Sequence, residues 1–206
     1  MPVFTYRTIQ APAEGFYKEK GSKFLAFAYP VDSETIIRER LEALRKEYFD
    51  ARHHCYAWML GPERKHFRAN DDGEPNHSAG DPILGQIRSK ELTNILIVVV
   101  RYFGGTKLGV GGLISAYKIA AEDALNHAVM MECEVTERIV IKYEYASTPD
   151  VMKLVKDFDL KILHQDFTTG CTLEAEIKIK HHENFFEKIT LMKALGASLE
   201  AATLPL

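Results

Sequence analysis

The sequence predicts an α+β protein of two domains, residues 1–132 and 133–206. In the first part, six consecutive apolar residues, 95–100, precede a glycine-rich segment and a long helical pattern. Such a run is typical of a strand covered on both faces, so this strand belongs in the middle of a sheet. After residue 132 the patterns follow the order strand, helix, strand, strand, helix, strand, which indicates a second, smaller α+β unit.

The elements of the first part follow from local patterns. Strands are predicted where apolar residues alternate or run together between turn signals: 4–9, 15–31 with a polar turn at 18–21, 53–60 and 95–100. Ser33 has the position of an N-cap, and the amphipathic helix that follows ends near Tyr48. A short helix is predicted within 78–89. From Leu113 onward, apolar residues recur every three to four positions, which predicts a helix packed closely on the sheet.

Between the central strand and this helix, residues 104–112 contain five glycines. A strand, a glycine loop and a helix N-terminus can together hold an anion, because free backbone N–H groups and the positive dipole end face the ligand. The spacing of Gly104 and Gly109 is that of a Walker A loop, but the Lys-Ser/Thr pair is absent. Anion binding and tight turns with close strand–helix contact are therefore both open. The candidate binding residues are Arg101, Gly104, Gly105, Thr106, Lys107, Gly109, Gly111 and Gly112.

A second polar stretch, residues 69–77, is acidic and rich in turn formers. Its carboxylates could perform acid–base chemistry or hold a cation, and the alternative is that they form turns and helix caps. The preceding His53-His54-Cys55 suggests zinc, but neighbours on a strand point to opposite faces and no known zinc spacing is met. The candidate binding residues here are Asp71, Asp72, Glu74 and His54. No metal site, cofactor or catalytic residue is predicted.

The elements of the second part also follow in order. They are a half-exposed strand over 138–145, a helix opened by Thr148-Pro149, strands 161–167 and 171–180 around a turn at 168–170, a helix ended by Gly196, and a strand over 197–201. In the strand 171–180, apolar and polar residues alternate strictly. The order predicts a ferredoxin-like domain.

Composition narrows the classes of protein. A hydrophobic content of 46% and a charged content of 27% are ordinary for a globular protein, and no apolar run is long enough to span a bilayer. The N-terminus lacks a signal-peptide pattern, so a cytoplasmic protein without a membrane partner is expected. Three widely spaced cysteines are expected to be reduced. With a net charge of −3, any nucleic-acid binding must come from a local patch.

The segment Arg101–Leu113, followed by Ala116-Tyr117, resembles the signature of the IMPACT family. Four other stretches agree with it: Gly21–Ala26, Asp50–Ala57, Asp71–Pro75 and Ala79–Leu84. The resemblance covers roughly residues 15–130 and implies a bacterial, two-domain member of the YigZ type. For the larger domain it implies the ribosomal-protein-domain-2-like fold shared with GHMP kinases and domain IV of elongation factor G. For the smaller domain it implies similarity to domain V of that factor.

The resemblance also implies a function. Eukaryotic IMPACT proteins bind a large ribosome-associated activator and thereby restrain a kinase that phosphorylates a translation initiation factor. A noncatalytic translation-associated protein is therefore expected, with RNA or the ribosome, and possibly a protein, as partner, and with Lys107 and Arg101 contacting phosphate groups. The alternative is a hydrolase or phosphate-handling enzyme that uses the acidic residues Asp71, Asp72 or Glu74 with His53, His54 or His77.

Overall fold

The computed structural model describes residues 3–168 and 170–204, and the chain divides into two compact units. The first unit is Thr5–Cys133, and the second contains the described residues from Glu134 onward together with Val3 and Phe4. Both units combine helices with antiparallel sheets, so the predicted α+β class is confirmed. Thr169, in the predicted turn at 168–170, lies outside the described residues. None of the described helices is long and apolar enough to cross a bilayer.

The first unit is built around an antiparallel sheet with helices on both faces. Its strands are β1 (Thr5–Ile9), β2 (Ala13–Glu19), β3 (Ser22–Pro30), β4 (His53–Leu60), β5 (His66–Asn70), β6 (Ile95–Tyr102) and β7 (Met130–Glu134). Its helices are α1 (Glu34–Glu47), α2 (Gly80–Ser89) and α3 (Gly109–His127). The main sheet has the order β2-β3-β6-β4-β5, while β1 and β7 pair separately. Strand β6 is central, as its apolar run predicts.

The sheet separates two hydrophobic cores, because successive side chains of a strand point to opposite faces. One core lies between the sheet and helices α2 and α3, and it includes Phe24, Ile97 and Tyr117. The other lies beneath α1 and includes Trp58 and Val98. Since both faces of β6 are covered, its six residues from 95 to 100 are fully buried. Burial on both faces explains why the sequence of this strand shows no alternation.

Helix α3 lies very close to the sheet. Its buried face is mostly alanine, and a Cβ atom added to Gly15 on β2 would lie 2.2 Å from the backbone nitrogen of Ala124. The helix begins at Gly109, however, and not at Leu113 as predicted. Glycines carry no side chain that could reveal a helical period, so hydrophobic patterning missed the first turn. Gly111 and Gly112 therefore belong to the helix and not to the loop.

Two strands were not predicted, β5 and β7. The burial pattern of β5 is mostly exposed, and its residues Ala69 and Asn70 were assigned to a loop. Strand β5 forms at the sheet edge because it pairs with β4 over Tyr56–Leu60. Strand β7 exists through its pairing with β1, far away in the sequence. Pairing with a distant partner leaves no signal in the local sequence of a short strand without clear alternation.

The second unit has the predicted element order. It consists of β8 (Thr136–Tyr143), α4 (Thr148–Asp157), β9 (Lys161–Asp166), β10 (Cys171–Lys178), α5 (His182–Ala194) and β11 (Leu199–Thr203). The strands form an antiparallel sheet in the order β11-β8-β10-β9. Along β10, buried residues alternate with partly exposed ones, as its sequence predicts. Its core joins Ile139, Leu173 and Phe185 between the sheet and the helices.

The predicted domain boundary at residue 132 gives a testable expectation. A chain ending at Glu132 would lose two residues of β7, so we expect residues 1–134 to be the shortest well-folded form of the first unit. This chain should melt cooperatively, because both of its cores lie within Thr5–Cys133. Fluorescence of Trp58, the single tryptophan, reports unfolding of the core beneath α1. A molten 1–134 chain beside a well-folded full-length chain would show that the units are not independent.

Candidate functional site

A cavity of about 710 Å³ lies where the chain leaves the central strand β6. Strands β6 and β4 are antiparallel and pair Arg101 with His53, so the end of β6 adjoins the start of β4. The loop after β5 and the first turn of α3 close the remaining sides. Eight of the lining side chains are polar or aromatic: Asp50, Arg52, His53, Glu74, Arg101, Tyr102, Phe103 and Lys107.

A buried ion pair forms one wall of the cavity. Arg101 Nη1 donates a hydrogen bond to Glu74 Oε1 over 2.6 Å, and the two side chains are only 7% and 4% exposed. The hydroxyl of Tyr117 donates to the same carboxylate oxygen over 2.7 Å. Burial raises the pKa of Tyr117, which keeps the hydroxyl protonated and able to donate. Glu74 is thus held by two donors that come from different elements, β6 and α3.

The thiol of Cys55 lies beneath this pair. It donates to the backbone oxygen of Asp71 over 2.9 Å, and its sulfur is 3.3 Å from the hydroxyl oxygen of Tyr117. Burial raises the pKa of Cys55 well above its usual range. The thiol therefore stays protonated and serves as a structural group, not as a nucleophile.

Arg101 keeps donors that its partner does not use. Its Nε–H has no hydrogen-bond partner among the described residues, although the atom is buried. The guanidinium carbon lies 5.5 Å from the ring centre of Phe24 and 5.7 Å from that of Phe103. A guanidinium has five N–H donors, so the contact with Glu74 leaves this side chain able to bind another acceptor.

Two further cations line the cavity. Neither Arg52 nor Lys107 lies within ion-pair distance of a carboxylate in the described part of the chain. The start of α3 adds positive potential, because its first turn has no acidic residue and no side chain accepts from its N–H groups. Of the two cavity carboxylates, Glu74 is paired with Arg101, and Asp50 accepts from the hydroxyl of Tyr102 over 2.7 Å. This arrangement favours an anionic ligand.

The ring of His53 faces the same cavity, and its tautomer is set by a neighbour. Nδ1 lies 2.9 Å from the backbone oxygen of Asp72. Since a carbonyl oxygen can only accept, Nδ1 carries the proton. In the neutral ring, Nε2 is then an acceptor, and it becomes a donor when the ring is protonated. His53 was part of the enzyme hypothesis but not of the predicted binding set.

Asp71 has a structural role. Its carboxylate accepts from three backbone N–H groups at the start of α2, those of His77 at 2.8 Å, Ala79 at 2.9 Å and Gly80 at 2.8 Å. Burial tends to raise the pKa of Asp71, but these hydrogen bonds outweigh it, so the net shift is downward. Asp71 does not line the cavity. The helix-cap interpretation of the acidic loop therefore describes this residue.

Asp72 and His54 also lie away from the cavity lining. Asp72 Oδ2 accepts from the backbone N–H of His54 over 2.7 Å, which ties the loop to β4. The His54 side chain points to the opposite face of the sheet, toward Leu44 of α1 and Tyr48, the C-cap of that helix. Burial lowers the pKa of His54. Of the acidic and histidine residues in the enzyme hypothesis, only His53 and Glu74 reach the cavity. Within the described residues, no three His, Cys, Asp or Glu side chains are placed to hold a metal.

A family model described as the Impact N-terminal domain matches residues 20–125, more than half of the chain. The chain belongs to the IMPACT family. It is 30% identical to the IMPACT family member YvyE of Bacillus subtilis over 90% of this chain and 86% of the relative. It is also 30% identical to the IMPACT family member YigZ of Escherichia coli, over 87% and 89%. A solved structure described as a hypothetical protein matches with a TM-score of 0.76 at 28% identity, covering 99% of both chains.

The cavity lies entirely within the matched IMPACT range. The sequence singled out Arg101, Lys107 and Glu74, and the structure brings these three into one lining. Sequence reasoning missed the role of Tyr117 as a donor to Glu74. It assigned this residue to the apolar stripe of α3, because tyrosine fits a helical core pattern. Arg52 was also missed, since nothing in a local pattern shows that the start of β4 adjoins the end of β6.

The glycines between Arg101 and Leu113 have several distinct roles. A Cβ at Gly104 would lie 1.9 Å from the backbone carbon of Gly21, so this position requires glycine for close approach. Gly105 and Gly109 have positive φ, at +86° and +73°. The glycine cluster also predicts close backbone approach with positive φ at Gly111 and Gly112, but both residues are helical and neither has positive φ. Gly111 has open space around it, whereas a Cβ at Gly112 would lie 3.0 Å from the Cβ of Leu108. Of the predicted loop residues, Lys107 and Gly109 line the cavity. The others do not: Gly104, Gly105, Thr106, Gly111 and Gly112.

Proposed function

We propose that this IMPACT family member is a noncatalytic binding protein connected with translation, and that it contacts RNA, free or in the ribosome, through the cavity at the N-terminus of α3. The connection with translation comes from what the resemblance implies for the family. The RNA contact rests on one observation, the convergence of Arg52, Lys107 and a helix N-terminus without an acidic first turn on one cavity. Phosphate groups are the acceptors that such groups bind best.

Binding explains the cavity better than catalysis does. The acidic residues Asp71 and Asp72 are engaged by backbone N–H groups outside the lining. Glu74 is fixed by Arg101 and Tyr117, so it is a poor general base. An anion entering the cavity would meet Arg52, Lys107 and the start of α3, which outnumber the one lining carboxylate without a cationic partner, Asp50.

The relation to elongation factor G is part of the same proposal. We infer that the first unit is related in fold to domain IV of that factor, and that the second is a ferredoxin-like domain related to domain V. The βαββαβ order and the sheet order β11-β8-β10-β9 support the second assignment. A ribosomal binding site would suit such a pair of domains. The domain limits proposed from the sequence, 1–132 and 133–206, would shift by about two residues to keep β7 whole.

Lys107→Ala tests the RNA contact. We expect a labelled single-stranded RNA to bind the variant more weakly than the wild type, by several-fold at low salt and less at high salt. The slope of log affinity against log salt should become shallower by about 0.7, as for one lost phosphate contact on a single strand. The melting temperature should stay unchanged, because Lys107 is exposed. Fluorescence anisotropy at a series of salt concentrations measures the affinities.

Lys118→Ala is the matched control, because Lys118 is an exposed lysine of α3 that does not line the cavity. It should keep the affinity and the salt slope of the wild type. Equal affinities of wild type and Lys107→Ala at every salt concentration would contradict the proposed contact. If the wild type binds no RNA, the RNA part of the proposal is wrong. Capture from lysate with and without nuclease then tells a protein partner from a ribosomal one.

A further inference from the structure

We propose that the cavity binds one nucleotide unit, with its phosphate at the start of α3 and its base stacked on Phe103. This inference rests on the proposed function, because it names the part of an RNA that the same site recognises. It adds one contact to that function, the stacking of a base on Phe103, which binding of phosphate alone would not involve. The ligand class is a nucleoside monophosphate, either within an RNA chain or free in solution.

The phosphate end of the proposed site combines three features: the start of α3 with Lys107 before it, Arg52, and Arg101. The first turn of α3 offers N–H groups with no side-chain cap, and Lys107 directly precedes the N-cap residue Leu108. Arg52 lines the cavity without an ion-pair partner in the described chain. The third feature, Arg101, does not belong to the helix. This residue lines the cavity and is only 7% exposed, and its Nε–H has no partner among the residues described. A buried donor of this kind is costly unless an acceptor binds it.

The base end is defined by Phe103. This residue follows β6 directly, lines the cavity, and is 58% exposed despite its large apolar ring. Its ring centre lies 5.7 Å from the guanidinium carbon of Arg101, so aromatic and cationic groups are adjacent. Single-stranded nucleic-acid sites commonly combine these two groups, because bases stack on aromatic rings while cations hold the phosphates. A stacked base would cover the ring that is now exposed.

The size of the cavity limits the ligand. Its volume of about 710 Å³ falls in the range of small-molecule sites, which is roughly 300–1,000 Å³. This space is sufficient for a single nucleotide. A longer RNA would therefore insert one unit, at an end or at an unstacked position, and leave its neighbours outside.

The first experiment is calorimetric titration of the full-length chain with each of the four ribonucleoside 5′-monophosphates, with the four nucleosides and with ribose 5-phosphate. We expect at least one monophosphate to bind, and its nucleoside and ribose 5-phosphate to bind about tenfold or more weakly than it. Phe103→Ala should weaken the monophosphate by about tenfold, the order of one lost stacking contact, and should leave ribose 5-phosphate unaffected. Phe103→Tyr should restore the affinity.

Phe67→Ala is the matched control, since Phe67 is 45% exposed, lies 4.5 Å from the guanidinium of Arg88, and is outside the cavity. It should bind the monophosphate like the wild type. If Phe103→Ala and Phe67→Ala reduce affinity equally, the effect does not come from stacking in this cavity, and the inference is overturned. Binding of ribose 5-phosphate as tightly as the monophosphate would also overturn it.

Competition separates this inference from the proposed function. If excess monophosphate displaces labelled RNA, the nucleotide unit recognised in RNA occupies this cavity. If the monophosphate binds and RNA does not, the ligand is a free nucleotide, and the RNA proposal fails while the inference stands. A third outcome is that RNA binding depends on Lys107 but not on Phe103, and that no monophosphate binds or competes. In that case the inference fails and the RNA proposal stands. If neither RNA nor any monophosphate binds, both fail.

Discussion

Replacing Gly104 with alanine is expected to destabilise the first unit by about 3 kcal/mol or more, the upper end of the cost of overpacking. The added Cβ would lie 1.9 Å from the backbone carbon of Gly21 and 2.1 Å from the backbone nitrogen of Ser22. Neither neighbour is the end of a flexible side chain, so the clash can be relieved only by moving the backbone. Such a shift would also disturb the hydrogen bond from Gly104 N–H to the Ser22 hydroxyl.

Urea denaturation followed by Trp58 fluorescence measures the effect, because this single tryptophan lies in a core of the first unit. Gly111→Ala is the matched control: it is the same change seven residues along the chain, at a helical position where the added Cβ has open space. Its stability should be unchanged or slightly raised, since alanine favours helix over glycine. Similar midpoints for the two variants would show that Gly104 is not held against the Gly21 turn.

Breaking the buried ion pair is expected to be at least as costly. Arg101→Met leaves Glu74 as a buried charge without its cation, and Glu74→Gln leaves the Arg101 charge without its anion. Removing one partner of such a pair typically costs about 3–5 kcal/mol. Both single variants should therefore unfold at much lower urea than the wild type. Tyr117 can still donate to the glutamine oxygen in Glu74→Gln, so the loss there reports charge more than hydrogen bonding.

A double-mutant cycle isolates the pair from the rest of the site. The Arg101→Met, Glu74→Gln double variant should lose clearly less stability than the two single losses added together, because it buries no unpaired charge. Lys65→Ala removes an ion pair with Glu63 at the surface and should leave the denaturation curve unchanged. Additive losses in the cycle would mean that Arg101 and Glu74 stabilise the fold independently.

The parts of the fold that depend on local pattern were predicted well. The side-chain oxygen of Ser33 caps α1, and the helix ends at Glu47 with Tyr48 as its C-cap, because capping and amphipathic spacing are properties of neighbouring residues. Burial of β6 on both faces follows from its uninterrupted apolar run. In the second unit, strict alternation in β10 and a proline at the start of α4 gave the element order. The sequence predicts Thr148 as the N-cap of α4 and Pro149 as its first residue, but the helix begins at Thr148, and Ser147 is the N-cap.

The cavity was predicted only in part, because its residues come together through long-range pairing. Glu74 and Arg101 are 27 residues apart, and Glu74 and Tyr117 are 43 apart. Local sequence indicated polar residues beside a buried strand but gave no information on which of them would meet. Asp71 and Asp72 look equivalent to Glu74 in the sequence, yet only Glu74 extends into the lining.

The sequence by itself determined which apolar stretches of this protein are buried, where most helices and strands lie, and that its family is IMPACT. The tertiary structure decided which polar groups share a cavity, which glycine tolerates no side chain, and where α3 begins. The physical reason is the same in each case. Hydrophobic burial and helix capping act between neighbouring residues, whereas strand register and close backbone approach are set by partners that are distant in the chain. The register that pairs His53 with Arg101 places the start of β4, and Arg52 with it, beside the start of α3.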